Sequence, residues 1–294
     1  MRRYLHITIL LIVSYQLSIV NGQVLYRVSG NSAKAPSYIF ATNKIVGIEF
    51  IDSVPNLLTC FANCDKVLTE FAMQDYEAIA TLRTAALLPD SVKLDSYYTP
   101  EQYKQIDEAL LLNVEMGLDK LCRMKPSYIT AMYRDALLKR WLDYDDQRSM
   151  EVFFQSLAAD KGMPVIGLDN IGETMYMVFD REPFEWQCKE LLQIIEYPER
   201  EIKLERNIAE MYRMGRMADI AFALTAPDNN STISFSDYQV FAARNAQWVK
   251  RLQPYFSEGK VFVTLDANYL GGEKGLLEQL RKAGYRVKSV NRYF

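Results

Sequence analysis

Apolar, strand-like segments lie near both ends of the chain and enclose a long helical middle, and this arrangement restricts the fold more than any other feature. Near the start, VLYRVS (24–29) alternates apolar and polar residues, and YIFAT (38–42) follows after a turn, which predicts a hairpin. Near the end, VFVTLD (261–266) begins a succession of strand, loop, helix, glycine and strand. We therefore predict an α/β (α+β) fold with a central mixed β-sheet flanked by helices.

The middle of the chain, from 76 to 160, has a mostly helical pattern, and this block is predicted to form a subdomain or a lid. Two more strands are predicted beside it. DKVLTE ends at Glu70, and a buried strand, VIGLD, ends at Asp169. Asp52 or Ser53 is predicted to cap a helix that contains Cys60 and Cys64.

The N-terminal segment has the three parts of a secretory signal peptide. Two arginines precede a short apolar run, and Val20 and Gly22 fit the small-residue positions of a cleavage site before Gln23. The alternative is a membrane anchor, but polar residues interrupt the run, which falls short of the roughly 20 apolar residues that a span prefers. We predict a signal peptide at 1–22, one domain at 23–294 without a transmembrane span, and export to the periplasm or the extracellular space.

The chain contains one histidine, His6, and it lies in the predicted signal peptide. The mature chain would then have no imidazole, which excludes Ser-His-Asp and Cys-His catalytic units. A zinc site would have to rest on cysteine and carboxylate alone, so we predict no metal and no cofactor. The formal net charge of -3 argues against a nucleic-acid partner, because nucleic-acid-binding surfaces are usually basic.

Four segments form a recognisable series when they are taken in order. They are VLYRVSGNSAKAPSYIFATNKI, KGMPVIGLDN, ARNAQWVKRL and VFVTLDANYLGGEKGLLEQLRKAGYRV. The series resembles the TraB/GumN family, to which the Tiki metalloproteases are related, and it covers nearly the whole mature chain. The resemblance implies a metalloprotease-like fold with a cleft.

The departures from the family pattern bear on function. In the family, two Gly-x-x-His motifs and an acidic residue are thought to hold a catalytic metal. Here Lys44 stands at the first histidine position and Tyr269 at the second, while Glu70 fits the acidic position and Asp169 stands where the family usually has Glu. Lysine cannot replace histidine as a ligand at neutral pH, because its ammonium has no free lone pair.

These positions define the predicted site. The catalytic candidates are Glu70, Asp169 and Arg244. We expect Lys44 to neutralise Glu70 in place of a metal, with Lys44 and Tyr269 in one pocket; the alternatives are a solvated Lys44 and a packed Tyr269. The predicted cleft residues are Asn43, Lys44, Glu70, Asp169, Asn170, Asp266, Asn268 and Tyr269.

Three functions are compatible with these residues. The first is a degenerate, exported pseudoenzyme whose cleft binds a peptide or an envelope component. The second is an active metal-dependent hydrolase or protease, in which Glu70, Asp169 and Asp266 hold Mg, Ca or Mn through oxygen ligands. The third is a non-catalytic interaction module of the cell envelope. We favour the first, and the placement of the three carboxylates separates it from the second.

Overall fold

The predicted signal peptide and residues 291–294 lie outside the part of the chain that the structure describes. The structure is a computed structural model, and it describes residues 23–72, 76–142, 144–145, 148–225 and 235–290, except for the side chains of 76–79, 83 and 235–239. No helix within these ranges combines the length and the apolar character that crossing a membrane requires.

A six-stranded mixed sheet forms the centre of the described fold, as predicted. Its strands lie in the order β4-β3-β5-β2-β1-β6, with β1 and β2 antiparallel and β2, β5, β3 and β4 parallel to one another. The strands are β1 Leu25–Ser29, β2 Ser37–Thr42, β3 Lys66–Thr69, β4 Val165–Gly167, β5 Val261–Asp266 and β6 Arg286–Ser289.

The strand register brings the predicted site segments to one edge of the sheet. Thr42 at the end of β2 pairs with Asp266 at the end of β5, and Thr69 at the end of β3 pairs with both Thr264 and Gly167. Parallel strands direct their carboxyl ends to the same edge, where the loops of α/β proteins usually hold the functional groups. All four loops that follow these strands therefore begin side by side.

The prediction of a fully buried VIGLD strand was wrong. The strand β4 ends at Gly167, and its three residues are only partly buried. The reason is that β4 is the edge strand of the sheet and has a neighbouring strand, β3, along only one of its two edges. Leu168 and Asp169 lie beyond the strand but still donate their backbone N–H groups to the carbonyls of Thr69 and Glu70, at 2.7 and 3.1 Å.

Helices cover the sheet and make up most of the described middle section. They are α1 Leu57–Ala62, α2 Tyr76–Ala85, α3 Pro100–Val114, α4 Leu118–Leu121, α5 Pro126–Trp141, α6 Met150–Asp160, α7 Ile171–Met175, α8 Phe184–Glu196, α9 Pro198–Arg213, α10 Met217–Thr225, α11 Phe235–Glu258 and α12 Leu276–Lys282. A π-helical turn, Tyr176–Asp180, joins α7 to the segment before α8.

The predicted N-cap of the first helix was wrong. Asp52 and Ser53 belong to a separate 3-10 turn, and α1 begins at Leu57 after Asn56, which has a left-handed backbone with φ of 62°. Asparagine tolerates this conformation better than most residues, so it can redirect the chain between the two helical pieces.

The described residues form two hydrophobic cores. The larger core packs both faces of the sheet against α1, α6, α9, α10, α11 and α12. The smaller core lies mainly among α3, α4, α5 and α8, with Leu94, Ile106, Leu118 and Ile129 fully buried in it. A separate core supports the prediction that the middle section is a subdomain.

Candidate functional site

Glu70, Asp169 and Asp266 come together at the carboxyl edge of the sheet. The Glu70 Oε1 atom accepts the backbone N–H of Asp266 at 3.1 Å, and the Glu70 carbonyl accepts the N–H of Asp169. Parallel pairing of β4, β3 and β5 is the cause, since Asp266 ends β5, Glu70 directly follows β3, and Asp169 lies two residues beyond β4. The three acidic residues therefore lie at the same edge of the sheet.

Arg244, on α11, lies between two of these carboxylates. Its Nη2 atom is 3.1 Å from the Glu70 Oε2 atom, its Nε donates to the Asp169 Oδ2 atom at 2.8 Å, and Nη2 contacts the same oxygen. The Asp169 side chain is only 3% exposed. A carboxylate buried to this extent needs a paired cation, and the planar guanidinium supplies several donors at once.

Two aromatic rings enclose the Arg244 guanidinium. Its centre lies 4.4 Å from the ring of Trp248 and 4.7 Å from the ring of Tyr269. Trp248 also donates its indole Nε1–H to the Asp169 Oδ1 atom at 2.6 Å. Stacking on aromatic faces stabilises a guanidinium, so the position of Arg244 is fixed by both charge and ring contacts.

The carboxyl groups at this edge have shifted pKa values. Burial raises the pKa of Glu70, and the Arg244 guanidinium lowers it in part. Burial, followed by the charge of Glu70, raises the pKa of Asp266 from 3.8 to about 8. Near neutral pH, the Asp266 carboxyl is therefore mostly protonated, whereas an ordinary aspartate is ionised.

Sequence reasoning missed Glu151, Trp248 and Glu205. Glu151 lies in the first turn of α6, where acidic residues are common, so its position gave no functional signal. Burial raises the pKa of Glu151, while the Thr42 hydroxyl lowers it. Trp248 does have a sequence signal, because it follows Arg244 by four residues on one helix and so shares its face.

The expected pairing of Lys44 with Glu70 was wrong. The Lys44 Nζ atom lies 3.2 Å from the Glu205 Oε1 atom, and Glu70 is paired with Arg244 instead. The loop after β2 directs Lys44 toward α9, whereas Glu70 faces α11. The expected pocket shared by Lys44 and Tyr269 is not formed either, because the ring of Tyr269 packs on Arg244 and Trp248.

The three predicted asparagines lie at three different places. Asn43 is buried and accepts the backbone N–H groups of Ile45 and Val46, at 3.0 and 3.2 Å, so it shapes the turn after β2. Asn170 caps α7 in a reciprocal pair with Glu173. Asn268 instead lines a cavity, together with Lys44.

Two cavities adjoin the strand ends. The first, which we call the strand-end cavity, has a volume of about 310 Å³ and lies between Lys44, Asn268 and the helices α5, α8 and α9. The second, the arginine pocket, has a volume of about 410 Å³ and is lined by Asp169, Asn170 and Arg244. Met177, in the π-helical turn, lines both of them. π-helical turns occur frequently at functional sites.

Comparison with known proteins identifies the family of this chain. A sequence model of the TraB/PrgY/gumN family matches residues 24–289, which is nearly the whole chain. The chain belongs to the TraB/PrgY/gumN family. No curated protein and no solved structure matches it.

The residues at the strand ends do not fit the metal that the resemblance to the TraB/PrgY/gumN family implies. The Glu70 and Asp169 carboxylates are already bound by the Arg244 guanidinium. The resemblance implies Lys44 and Tyr269 where the family has histidine, and neither supplies an imidazole ligand. Within the described ranges, no group of three or more histidine, cysteine or carboxylate side chains is placed to hold a metal ion. A cation between the carboxylates would have to displace Arg244.

Proposed function

We propose that this TraB/PrgY/gumN-family chain is an exported pseudoenzyme that binds a peptide or an envelope component at its strand ends and has lost metal-dependent hydrolysis. The observation that supports it best is the position of Arg244, which contacts Glu70 and Asp169 while Trp248 and Tyr269 enclose it. A guanidinium in this place competes with any divalent cation for the same oxygen atoms.

The two former histidine positions give further support. The Lys44 ammonium is bound to Glu205, and the Tyr269 ring is stacked on Arg244, so each side chain has a role that does not involve a metal. The cleft itself is retained as two cavities, and their volumes lie in the range of small-ligand sites. A retained cleft with altered chemistry is what binding without hydrolysis requires.

The test combines metal analysis with an activity assay on purified protein beginning at Gln23. The protein is loaded separately with Zn, Mn, Co, Mg or Ca, dialysed, and measured for bound metal and for cleavage of a mixed peptide library. We expect no stoichiometric metal and no metal-dependent cleavage. About one transition metal per chain with cleavage would overturn the proposal, and tightly bound Ca or Mg would favour the oxygen-ligand hydrolase.

An Arg244→Gln variant is a matched comparison for this test. Glutamine is shorter and uncharged, so Glu70 loses its cation and Asp169 keeps only the Arg251 guanidinium, whose Nη1 atom lies 3.5 Å from the Asp169 Oδ1 atom. If the guanidinium competes with metal, the variant should bind more divalent cation than the parent protein does. Equal metal uptake by parent and variant would show that Arg244 does not control cation access.

A further inference from the structure

The strand-end cavity has an excess of negative charge among its described lining residues. Four glutamates and three cationic side chains line it. Arg134 contacts two of the glutamates, with its Nε 2.6 Å from the Glu201 Oε1 atom and its Nη2 3.4 Å from the Glu190 Oε1 atom. Of the other two glutamates, Glu182 pairs with Arg181 at 3.3 Å and Glu205 with Lys44 at 3.2 Å. A ligand with a single positive charge would balance this set.

Three polar atoms of the cavity wall have no hydrogen-bond partner among the described residues. They are the Ser127 Oγ, Thr130 Oγ1 and Asn268 Oδ1 atoms, and each is shielded from solvent. Thr130 as a residue is only 2% exposed. The amide oxygen only accepts hydrogen bonds, whereas the two hydroxyls can also accept them. Buried polar atoms are nearly always paired, so these three predict a ligand that brings donors.

The Glu205 carboxylate already binds an ammonium group, that of Lys44. The Glu205 side chain is 11% exposed, and the Lys44 Nζ atom lies 3.2 Å from its Oε1 atom. Lys44 is 37% exposed and comes from a loop, so it can leave at less cost than the buried carboxylate. The Lys44 ammonium therefore lies beside Glu205 in a position that the ammonium group of a ligand can take.

Part of the cavity lining is apolar. Leu204 and Ile208 on α9, Leu224 on α10, and Met177 and Val178 on the π-helical turn contribute to it. An aliphatic chain placed against these side chains would remove apolar surface from water. The cavity lining thus provides both hydrogen-bond acceptors and an aliphatic surface.

We propose that the strand-end cavity binds a primary ammonium group attached to a short aliphatic chain. Glu205 is the counter-ion, the Thr130 and Asn268 oxygens accept the remaining ammonium hydrogens, and Lys44 competes for the same position. This inference rests on the proposed binding function and names the ligand chemistry. The ammonium group can come from a peptide α-amino group or from a lysine-like side chain.

The test is calorimetric titration of the protein with n-butylamine, and with n-butanol as the uncharged comparison. Two short peptides separate the sources, one with a free α-amino group and one acetylated but containing lysine. We expect butylamine and at least one peptide to bind, and butanol not to bind. Glu205→Gln should weaken amine binding about tenfold or more, because a charge-assisted hydrogen bond is lost.

The Lys44→Met variant gives an effect of opposite sign. Removing the competing ammonium should tighten amine binding several-fold, whereas a merely structural Lys44 would leave it unchanged or weaken it. Thr130→Val keeps the side-chain shape and removes one acceptor, so it should weaken binding even if Glu205→Gln does not fold. Glu258→Gln, on the exposed pair with Lys66, is the matched control and should have no effect.

Failure of this inference can be distinguished from failure of the proposed function. No amine binding by the parent protein and the Lys44→Met variant, or binding that Glu205→Gln and Thr130→Val leave unchanged, would overturn the ammonium site. Neither result depends on metal content or cleavage. Metal-dependent hydrolysis with intact amine binding would overturn the proposed function alone.

Discussion

The Arg244 Nη2 atom lies 3.1 Å from the Glu70 Oε2 atom and also contacts Asp169. One guanidinium therefore pairs with two carboxylates, which follow the neighbouring strands β3 and β4. This relationship joins α11 to the ends of β3 and β4. It also provides a cation for the Glu70 and Asp169 carboxylates, which are largely buried. The predictions below test this pairing and the groups around it.

Replacing Arg244 with methionine should lower the free energy of unfolding by about 3 to 5 kcal/mol, because the mostly buried Glu70 carboxylate loses its cation. Adding Glu70→Gln should restore part of the loss, since one unpaired charge is removed. Denaturant unfolding of the single and double variants measures both effects. Arg281→Met, which breaks an exposed pair with Glu278, is the control and should cost less than about 0.5 kcal/mol. Additive effects at Arg244 and Glu70 would contradict the pairing.

Replacing Trp248 with phenylalanine should cost about 1.5 to 3 kcal/mol, because the buried Asp169 carboxylate loses the indole N–H donor while a ring remains. Trp186 is 61% exposed, so Trp186→Phe should change the free energy of unfolding by no more than about 0.5 kcal/mol. Thermal and denaturant unfolding would show the difference. Equal costs for the two substitutions would mean that the hydrogen bond contributes nothing to stability.

The pH dependence of stability should reflect Asp266. Its folded pKa is raised from 3.8 to about 8, so between these values the folded state holds a proton that the unfolded state has released. Its contribution therefore makes the protein less stable as pH rises through this range, with a slope of up to about 1.4 kcal/mol per pH unit. Asp266→Asn retains the acceptor for the Asn268 N–H and should make this decline shallower. Parallel curves for parent and variant would show that Asp266 titrates normally.

Lys44 should be energetically coupled to Glu205 and not to Glu70. The Lys44 side chain is more than one third exposed, so solvent screens the pair, and a double-mutant cycle with Glu205 should give about 0.2 to 1 kcal/mol. The corresponding cycle between Lys44 and Glu70 should be additive. Denaturant unfolding of Lys44→Met, Glu205→Gln, Glu70→Gln and the two double variants provides the comparison. Coupling to Glu70 alone would reverse the assignment of partners.

The predicted signal peptide makes a direct prediction about the mature N-terminus. Protein isolated from its native host should begin at Gln23 or within a residue or two of it, because signal peptidases cut after small residues. Intact-mass measurement gives the answer. Recovery of the full-length chain, still carrying Met1, in a membrane fraction would indicate an anchor.

The convergence of Glu70, Asp169 and Asp266 could be predicted from the sequence because strand ends obey a simple rule. A residue that follows a parallel strand lies at the carboxyl edge, and its neighbours are set by strand order. The resemblance of ARNAQWVKRL to the Arg-Asn helix added Arg244 to the same site. These two sources placed the acidic groups and Arg244 in one site, but the cation expected for Glu70 was Lys44, and the structure has Arg244 in that role.

The partner of Lys44 could not be predicted in this way. Glu205 lies on α9, and its direction depends on how Leu204 and Ile208 pack against the rest of the fold. Sequence periodicity shows that a helix has an apolar face, but it does not show which polar neighbour of that face meets a distant loop. The start of α1 was missed for a similar reason, since the left-handed backbone at Asn56 is one local choice among several.

The central place of β5 in the sheet has a consequence for the order of folding. This strand lies between β3 and β2. Its Thr264 pairs with Thr69 of β3, although more than 190 residues separate the two in the chain. A nascent chain can form the β1–β2 hairpin early, but it cannot join the two halves of the sheet until residues 261–266 have been synthesised. Because such long loops must close first, the chain should fold slowly and late, and a transport pathway that needs an unfolded polypeptide would have time to engage it.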